Sequence, residues 1–167
     1  MITSKIRATG AGLPEQVITN DDLAKIVDTS DEWISQRTGI KERRISTGEN
    51  LSVLATKAAR QIIARAQIDP KEIDLILVAT CTPDYGTPCT ACMVQKEIGA
   101  VNATAFDVVA ACSGFLFAAS TADKYIRSGM YRNALVIGGE ILSKIVDWSD
   151  RTTCVLFGDG AAGALLE

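Results

Sequence analysis

The sequence predicts an α/β fold built on a largely parallel sheet. Three short segments, 75–80, 106–111 and 134–137, are apolar on both faces, as the central strands of a helix-covered sheet are. Between them, 88–98 and 113–128 carry apolar residues at helical spacing, and each is followed by glycine. Strands alternating with helices of this length imply right-handed crossovers and parallel neighbours.

The other elements follow in chain order. Residues 6–11 read as a first strand, ended by glycine and then Pro14. Asn20 can cap a short helix in which Leu23, Ile26 and Val27 share a face. Thr29-Ser30-Asp31-Glu32 has capping-box spacing and predicts a second helix, stopped by Gly39. Leu51, Leu54, Ala55, Ala58 and Ile62 mark a longer amphipathic helix. Asp69-Pro70 places a cap before a proline at the first helical position. At the end, 153–157 and 161–166 read as two strands about Gly158-Asp159-Gly160, so an antiparallel pair is expected to close the sheet.

Composition bounds the function. The chain has 167 residues, enough for one domain with a sizeable core; 47% are hydrophobic and 22% charged, as in a soluble globular protein. A net charge of -3 gives no reason to expect nucleic acid or an anionic membrane surface as a partner. No apolar stretch approaches the ~20 residues of a membrane span, and MITSKIRATG lacks a signal peptide's apolar core. A cytoplasmic location is expected, with the five cysteines (81, 89, 92, 112 and 154) as free thiols.

One of those thiols sits at a chemically useful seam. In VVAACSGF, residues 108–115, Cys112 ends a predicted strand and precedes a predicted helix. The open N–H groups of a helix's first turn, with its dipole, favour an anion, so a thiol there should ionise and attack more readily than a free cysteine. Its own N–H, or the next one, can face the oxyanion formed on an attacked carbonyl, and small Ser113 and Gly114 let that carbonyl approach. The plainer alternative is a small buried core residue, a common use of cysteine. The chain has no histidine to act as its base.

Three stretches, AFDVVAACSGF, WISQRTGI (33–40) and DRTTCVLFGDGAA (150–162), resemble β-ketoacyl-acyl-carrier-protein synthase III, a thiolase-fold family that starts bacterial fatty-acid synthesis. The likeness runs through nearly the whole chain, but family members are roughly twice as long. It implies a thiolase-like half, a five-stranded mixed and mostly parallel sheet with flanking helices, occupying 1–167 as the N-terminal half. The C-terminal half is expected to be absent from this chain. Cys112 matches the family's nucleophile, whereas the catalytic histidine and asparagine come from the second half. The resemblance implies that Cys112 takes an acyl group from acyl-CoA. Malonyl-acyl-carrier protein then loses carbon dioxide, and its carbanion attacks the thioester to give a 3-oxoacyl product. No permanently bound cofactor is implied; acyl-CoA is a substrate, and a homodimer is the expected assembly. A lone half is expected to leave an apolar face and an open strand edge, favouring self-association.

Trp33 and Arg37, four apart, share one helix face. An aromatic plane beside a guanidinium suits a nucleotide, although the same spacing also fits a surface contact without a ligand. The resemblance implies that Trp33 stacks on the coenzyme A adenine opposite Arg151, and that Thr29 and Arg37 also contact the coenzyme. At the position of Thr87, acetyl-specific members often carry phenylalanine, which shortens the partner's acyl pocket; threonine there implies room for longer or branched primers.

Other signals are set aside. Gly158-Asp-Gly160-Ala-Ala-Gly163 fits G-x-G-x-x-G, yet it is followed by no helix, no next strand and no acidic residue about twenty positions on, as a dinucleotide site requires. It reads instead as a turn in which Ala162 and Gly163 invert the family's usual pair. Cys81, Cys89 and Cys92 include C-x-x-C, but a fourth ligand is missing, so buried structural thiols are expected and no metal. Asp147, Asp150 and Asp159 are assigned no chemistry. Rival readings are a hydroxymethylglutaryl-CoA synthase-like enzyme, a polyketide or quinolone starter enzyme, and a non-catalytic half-domain.

Overall fold

The computed structural model describes residues 3–167. Its main sheet has five strands in the order β1 (Ile6–Gly12), β7 (Asp159–Leu166), β6 (Ala134–Ile141), β4 (Leu75–Ala79) and β5 (Thr104–Val108). Strand β4 pairs in parallel with β5 and β6, whereas β7 runs antiparallel to both β6 and β1. One strand of five is therefore reversed, and the sheet is mixed and mostly parallel as expected. A separate ribbon joins β2 (Val17–Thr19) to β3 (Glu42–Arg44).

Strand alternation divides the core between the two faces of the sheet. Ile76, Val78, Leu135 and Ile137 point to α3 (Leu51–Ala66) and α4 (Thr90–Ile98), where Leu54, Ile62 and Val94 are fully buried. Leu75, Leu77 and Val136 point the other way, to α5 (Gly114–Arg127) with buried Ala118 and Ala122. Such two-sided burial explains the uninterrupted apolar runs. Close approach requires glycine at two places. A Cβ at Gly10 would lie 2.8 Å from the Ala58 carbonyl of α3, and one at Gly163 would strike the Val136 carbonyl of β6.

Several boundaries differ from the sequence reading. Residues 153–157 form turns rather than a strand, and Asp159 and Gly160 already belong to β7. The antiparallel partners of β7 are thus β6 and β1, and Ala162-Gly163 lies in the strand expected over 161–166, which begins two residues earlier, at Asp159. The physical reason is burial: Cys154 and Val155 join a small separate core with Leu23 and Ile34. Helix α1 (Asn20–Leu23) is a single turn capped by Thr19, whose hydroxyl accepts from Asp22 N–H at 3.2 Å. Asn20 is buried and donates instead to Asp31 and to the Ile40 carbonyl. Ile26 is exposed. Helix α2 (Asp31–Thr38) is capped by Ser30 rather than Thr29 and ends at left-handed Gly39. The Asp69 side chain caps one 3-10 turn, Pro70–Glu72. Helix α4 begins at Thr90, where the Asp107 carboxylate accepts from the N–H groups of Thr90 and Ala91. Among the described residues no helix is long and apolar enough to cross a membrane.

Candidate functional site

Cys112 lies in a 3-10 turn, Ala111–Ser113, between the carboxyl end of β5 and the start of α5. Ligands of open α/β sheets gather at such strand ends. The thiol is exposed, which overturns the expectation of a buried apolar run before it: Val109 is 75% exposed. The cause is topological, since β5 is an edge strand that stops at Val108. Ala111 has φ 46°, a left-handed conformation that costs a non-glycine residue about 1 kcal/mol. This strained step turns the chain so that Cys112 projects from the first turn leading into α5. Gly114 permits that placement. A Cβ on Gly114 would sit 3.1 Å from the Ala79 Cβ, and one on Gly138 would sit 3.4 Å from the Phe115 Cβ.

The two candidate oxyanion donors are not equivalent. Ser113 N–H donates to the Ala110 carbonyl at 3.2 Å, and Gly114 N–H donates to the Ala111 carbonyl. Cys112 N–H has no intrachain acceptor among the described residues, and it stands beside the thiol. Around this point Leu116 and Phe117 expose apolar surface, 69% and 57%.

A second constellation forms around Trp33. The Arg37 guanidinium lies 4.4 Å and that of Arg151 5.1 Å from the indole centroid. Helix α2 supplies Trp33 and Arg37 one turn apart, and Arg37 also donates to the Trp33 carbonyl. Arg151 arrives from the turn before β7 and donates to the Asp28 carbonyl at 2.9 Å. Two cations against one aromatic ring leave guanidinium N–H groups for phosphate. Thr29 stands between Asp28 and the α2 cap, and its hydroxyl oxygen is buried without a hydrogen-bond partner. The structure thus brings Trp33, Arg37 and Arg151 together, with Thr29 at their edge. Thr87 is exposed in the segment between β4 and α4. No hydrogen bond or ring contact among the described residues joins Thr87 or Cys112 to that cluster.

Four supporting residues were given no role by the sequence reading. Arg43 is buried on β3 and donates to Asn20 Oδ1 at 2.9 Å, the Val155 carbonyl at 3.1 Å and the Ile18 carbonyl at 3.3 Å. It pins the α1–α2 region to the turn that carries Arg151. Burial pushes its guanidinium below the ordinary value. Glu140 of β6 accepts from Cys81 N–H and from the hydroxyls of Thr80 and Thr82, fixing the start of the Thr87 segment. Asp159, assigned no chemistry above, is buried and accepts from Ser46 N–H, Ser143 N–H and the Ser143 hydroxyl. Asp150 accepts from Thr152 and Thr153; the Thr152 hydroxyl and N–H, then the Thr153 hydroxyl, hold its carboxyl below the usual range.

The expected buried thiols are not buried: Cys81 is exposed after the end of β4, and Cys89 and Cys92 are half-buried, with Cys92 lining a groove beside α4. Among the described residues no three His, Cys, Asp or Glu side chains are grouped to hold a metal ion.

The family described as 3-Oxoacyl-[acyl-carrier-protein (ACP)] synthase III matches residues 106–167. Along its full length the chain is 61% identical to a β-ketoacyl-[acyl-carrier-protein] synthase III of Streptococcus mutans, covering 51% of that protein. It is 58% identical to the one of Clostridium acetobutylicum, over 99% of this chain and 51% of that one. The crystal structure of 3-oxoacyl-[acyl-carrier-protein] synthase III from Aquifex aeolicus superposes with TM-score 0.96 at 55% identity, over 98% of this chain and 53% of that one. The priming β-ketosynthase of the R1128 polyketide pathway gives TM-score 0.95 at 38% identity, over 98% and 49%. The chain spans about half the length of the curated relatives it matches. In sequence over its whole length, and in fold, it matches the N-terminal half of the thiolase-fold family of β-ketoacyl-[acyl-carrier-protein] synthase III.

Proposed function

We propose that residues 1–167 are the nucleophile-bearing half of a 3-oxoacyl-acyl-carrier-protein synthase III that initiates fatty-acid synthesis. The observation that carries this reading is the exposed Cys112 on its strained turn at the start of α5, in a chain 61% identical to a synthase III. In the complete enzyme the Cys112 sulfur attacks the carbonyl of acyl-CoA. Its N–H faces the oxyanion, the C–S bond to the coenzyme breaks, and the acyl group stays on Cys112 as a thioester. Malonyl-acyl-carrier protein then loses carbon dioxide, and the resulting carbanion attacks that thioester, releasing a 3-oxoacyl-acyl-carrier protein and the free thiol. The histidine and asparagine that stabilise the enolate belong to the second half.

Trp33, Arg37, Arg151 and Thr29 hold the coenzyme: the indole stacks on one face of the adenine with Arg151 opposite, and Arg37 and Thr29 also contact the coenzyme. Thr87 leaves room for longer or branched primers. No cofactor is permanently bound. The enzyme works in the cytoplasm as a homodimer, and the second half covers Leu116 and Phe117. A polyketide starter role is the second reading, supported by the fold match to the R1128 priming enzyme.

The test is mass spectrometry of the complete enzyme incubated with a series of acyl-CoA primers. One acyl group should appear on Cys112, and Cys112→Ala should abolish both acylation and condensation. Acyl transfer undiminished in that variant refutes the assignment, and condensation by the 167-residue chain alone refutes the division of labour between halves.

A further inference from the structure

We propose that Cys89 and Cys92 form a thiol–disulfide couple at the start of α4 that exchanges with small anionic disulfides, of which oxidised glutathione is the probe. Their sulfurs are 3.3 Å apart. Cys89 is the N-cap and Cys92 the third helical residue, so the helix itself holds the two side chains one above the other. A disulfide needs the sulfurs at about 2.05 Å, a step within reach of side-chain rotation. Cys92 also lines a groove of about 650 Å³ between α3 and α4, and Cys89 beside it is itself partly exposed, which gives a reagent access to the pair. Lys57, Arg60 and Lys96 border that groove against the single carboxylate of Glu97. Lys57 and Arg60 are loosely paired with Glu49 and Glu97, each at 3.8 Å, while Lys96 has no carboxylate partner among the described residues. Their surplus positive charge favours a reagent bearing carboxylates.

The roles differ. Cys89 sits at the N-cap, ahead of the helix, whereas the Cys92 sulfur lies inside the first turn, 3.7 Å from the Ala105 carbonyl, so Cys92 serves as the resolving group. The Cys89 contact, then burial, also pushes the Cys92 thiol up, with the Asp107 carboxylate adding to the shift. Cys89 thiolate attacks one sulfur of the small disulfide; the S–S bond breaks and one thiolate leaves. Cys92 gives its proton to solvent, its sulfur attacks the Cys89 sulfur of the mixed disulfide, and the second thiolate leaves. Two protein thiols are oxidised by two electrons and one small disulfide is reduced to two thiols. None of this depends on the condensing activity.

The experiment uses the chain carrying Cys81→Ser and Cys112→Ser, in which the only other cysteine, Cys154, is fully buried. After equilibration with oxidised glutathione, the intact mass should fall by two hydrogen atoms and recover with dithiothreitol. Peptide mapping should link residues 89 and 92, in this variant and in the unsubstituted chain. Adding Cys92→Ser should trap one glutathione on Cys89. An unchanged mass, or glutathione persisting on either cysteine while both are present, overturns the proposal.

Discussion

Arg43 offers the sharpest test of how the scaffold holds the Trp33 cluster. Arg43 is 7% exposed and has no carboxylate partner among the described residues; its guanidinium bonds Ile18 and Asn20 in one stretch of chain and Val155 in the turn far along it. Arg43→Met keeps much of the stem volume and removes the three donated bonds. Hydrogen bonds from a charged donor are worth about 1.5–3 kcal/mol each, which sets an upper figure well above 4 kcal/mol. Two effects offset that loss: a buried cation no longer has to be desolvated, and the Nε that lacks a partner disappears. The net loss should be about 3 kcal/mol, and at roughly 2–4 °C per kcal/mol for a domain of this size Tm should fall by about 10 °C. Differential scanning calorimetry reads the stability. Isothermal titration with coenzyme A reads the proposed coenzyme site, where affinity should fall about tenfold, or ~1.4 kcal/mol, as the Arg151 turn drifts from Trp33. Arg43→Lys should recover only part of either value, because one ammonium cannot span all three acceptors. A Tm drop below about 3 °C with unchanged coenzyme affinity would refute the pinning role.

The remaining predictions concern the sheet and the Arg151 turn. Gly163→Ala places a methyl against the Val136 carbonyl and 2.9 Å from Ile137 Cγ1, so β6 and β7 must separate. The loss should be about 3 kcal/mol by urea unfolding, while Ala162→Gly, at an exposed position, should cost about 1 kcal/mol or less. Equal losses would mean that the strands absorb the methyl. Asp150 has a folded-state pKa below its ordinary 3.8, so its contribution is present above that value and disappears as pH falls through the lower one. Tryptophan fluorescence should therefore report opening of the turn only below about pH 4. Asp150→Asn should show the opened signal at neutral pH, and an acid transition identical to that of the unsubstituted chain would count against the role.

What the sequence disclosed, and what it hid, has physical causes. Strands β4 and β6 were legible because helices cover both of their faces, leaving no polar alternation to confuse the period. The Trp33–Arg37 contact was legible from its four-residue spacing alone. Residues 153–157 were misread because a short apolar run looks the same whether it pairs in a sheet or fills a small pocket. Here Cys154 and Val155 fill one beside Leu23 and Ile34 while Leu156 is 45% exposed. Arg43 was invisible because it sits in the run Lys41-Glu42-Arg43-Arg44, which reads as a solvated face. On a three-residue strand one of those charges must point inward, and only the fold shows which. Arg151 lies 123 residues from its Asp28 partner, so no local pattern announces that contact. It entered through family resemblance.

The position of Cys112 depends on contacts that no single motif contains. Its turn is strained at Ala111, and strain of that kind persists only where the surroundings fix the chain on both sides. On one side β5 is held by its parallel ladder to β4, and its Asp107 is clamped by the first N–H groups of α4. On the other, Gly114 lets the start of α5 settle on Ala79, and Phe115 packs over Gly138 of β6. The five residues 109–113 are thus stretched between two rigid anchors. A residue bulkier than glycine at 114 would lift the helix and relax the turn together. The placement of the exposed Cys112 thiol is therefore a property of how closely α5 lies on the sheet.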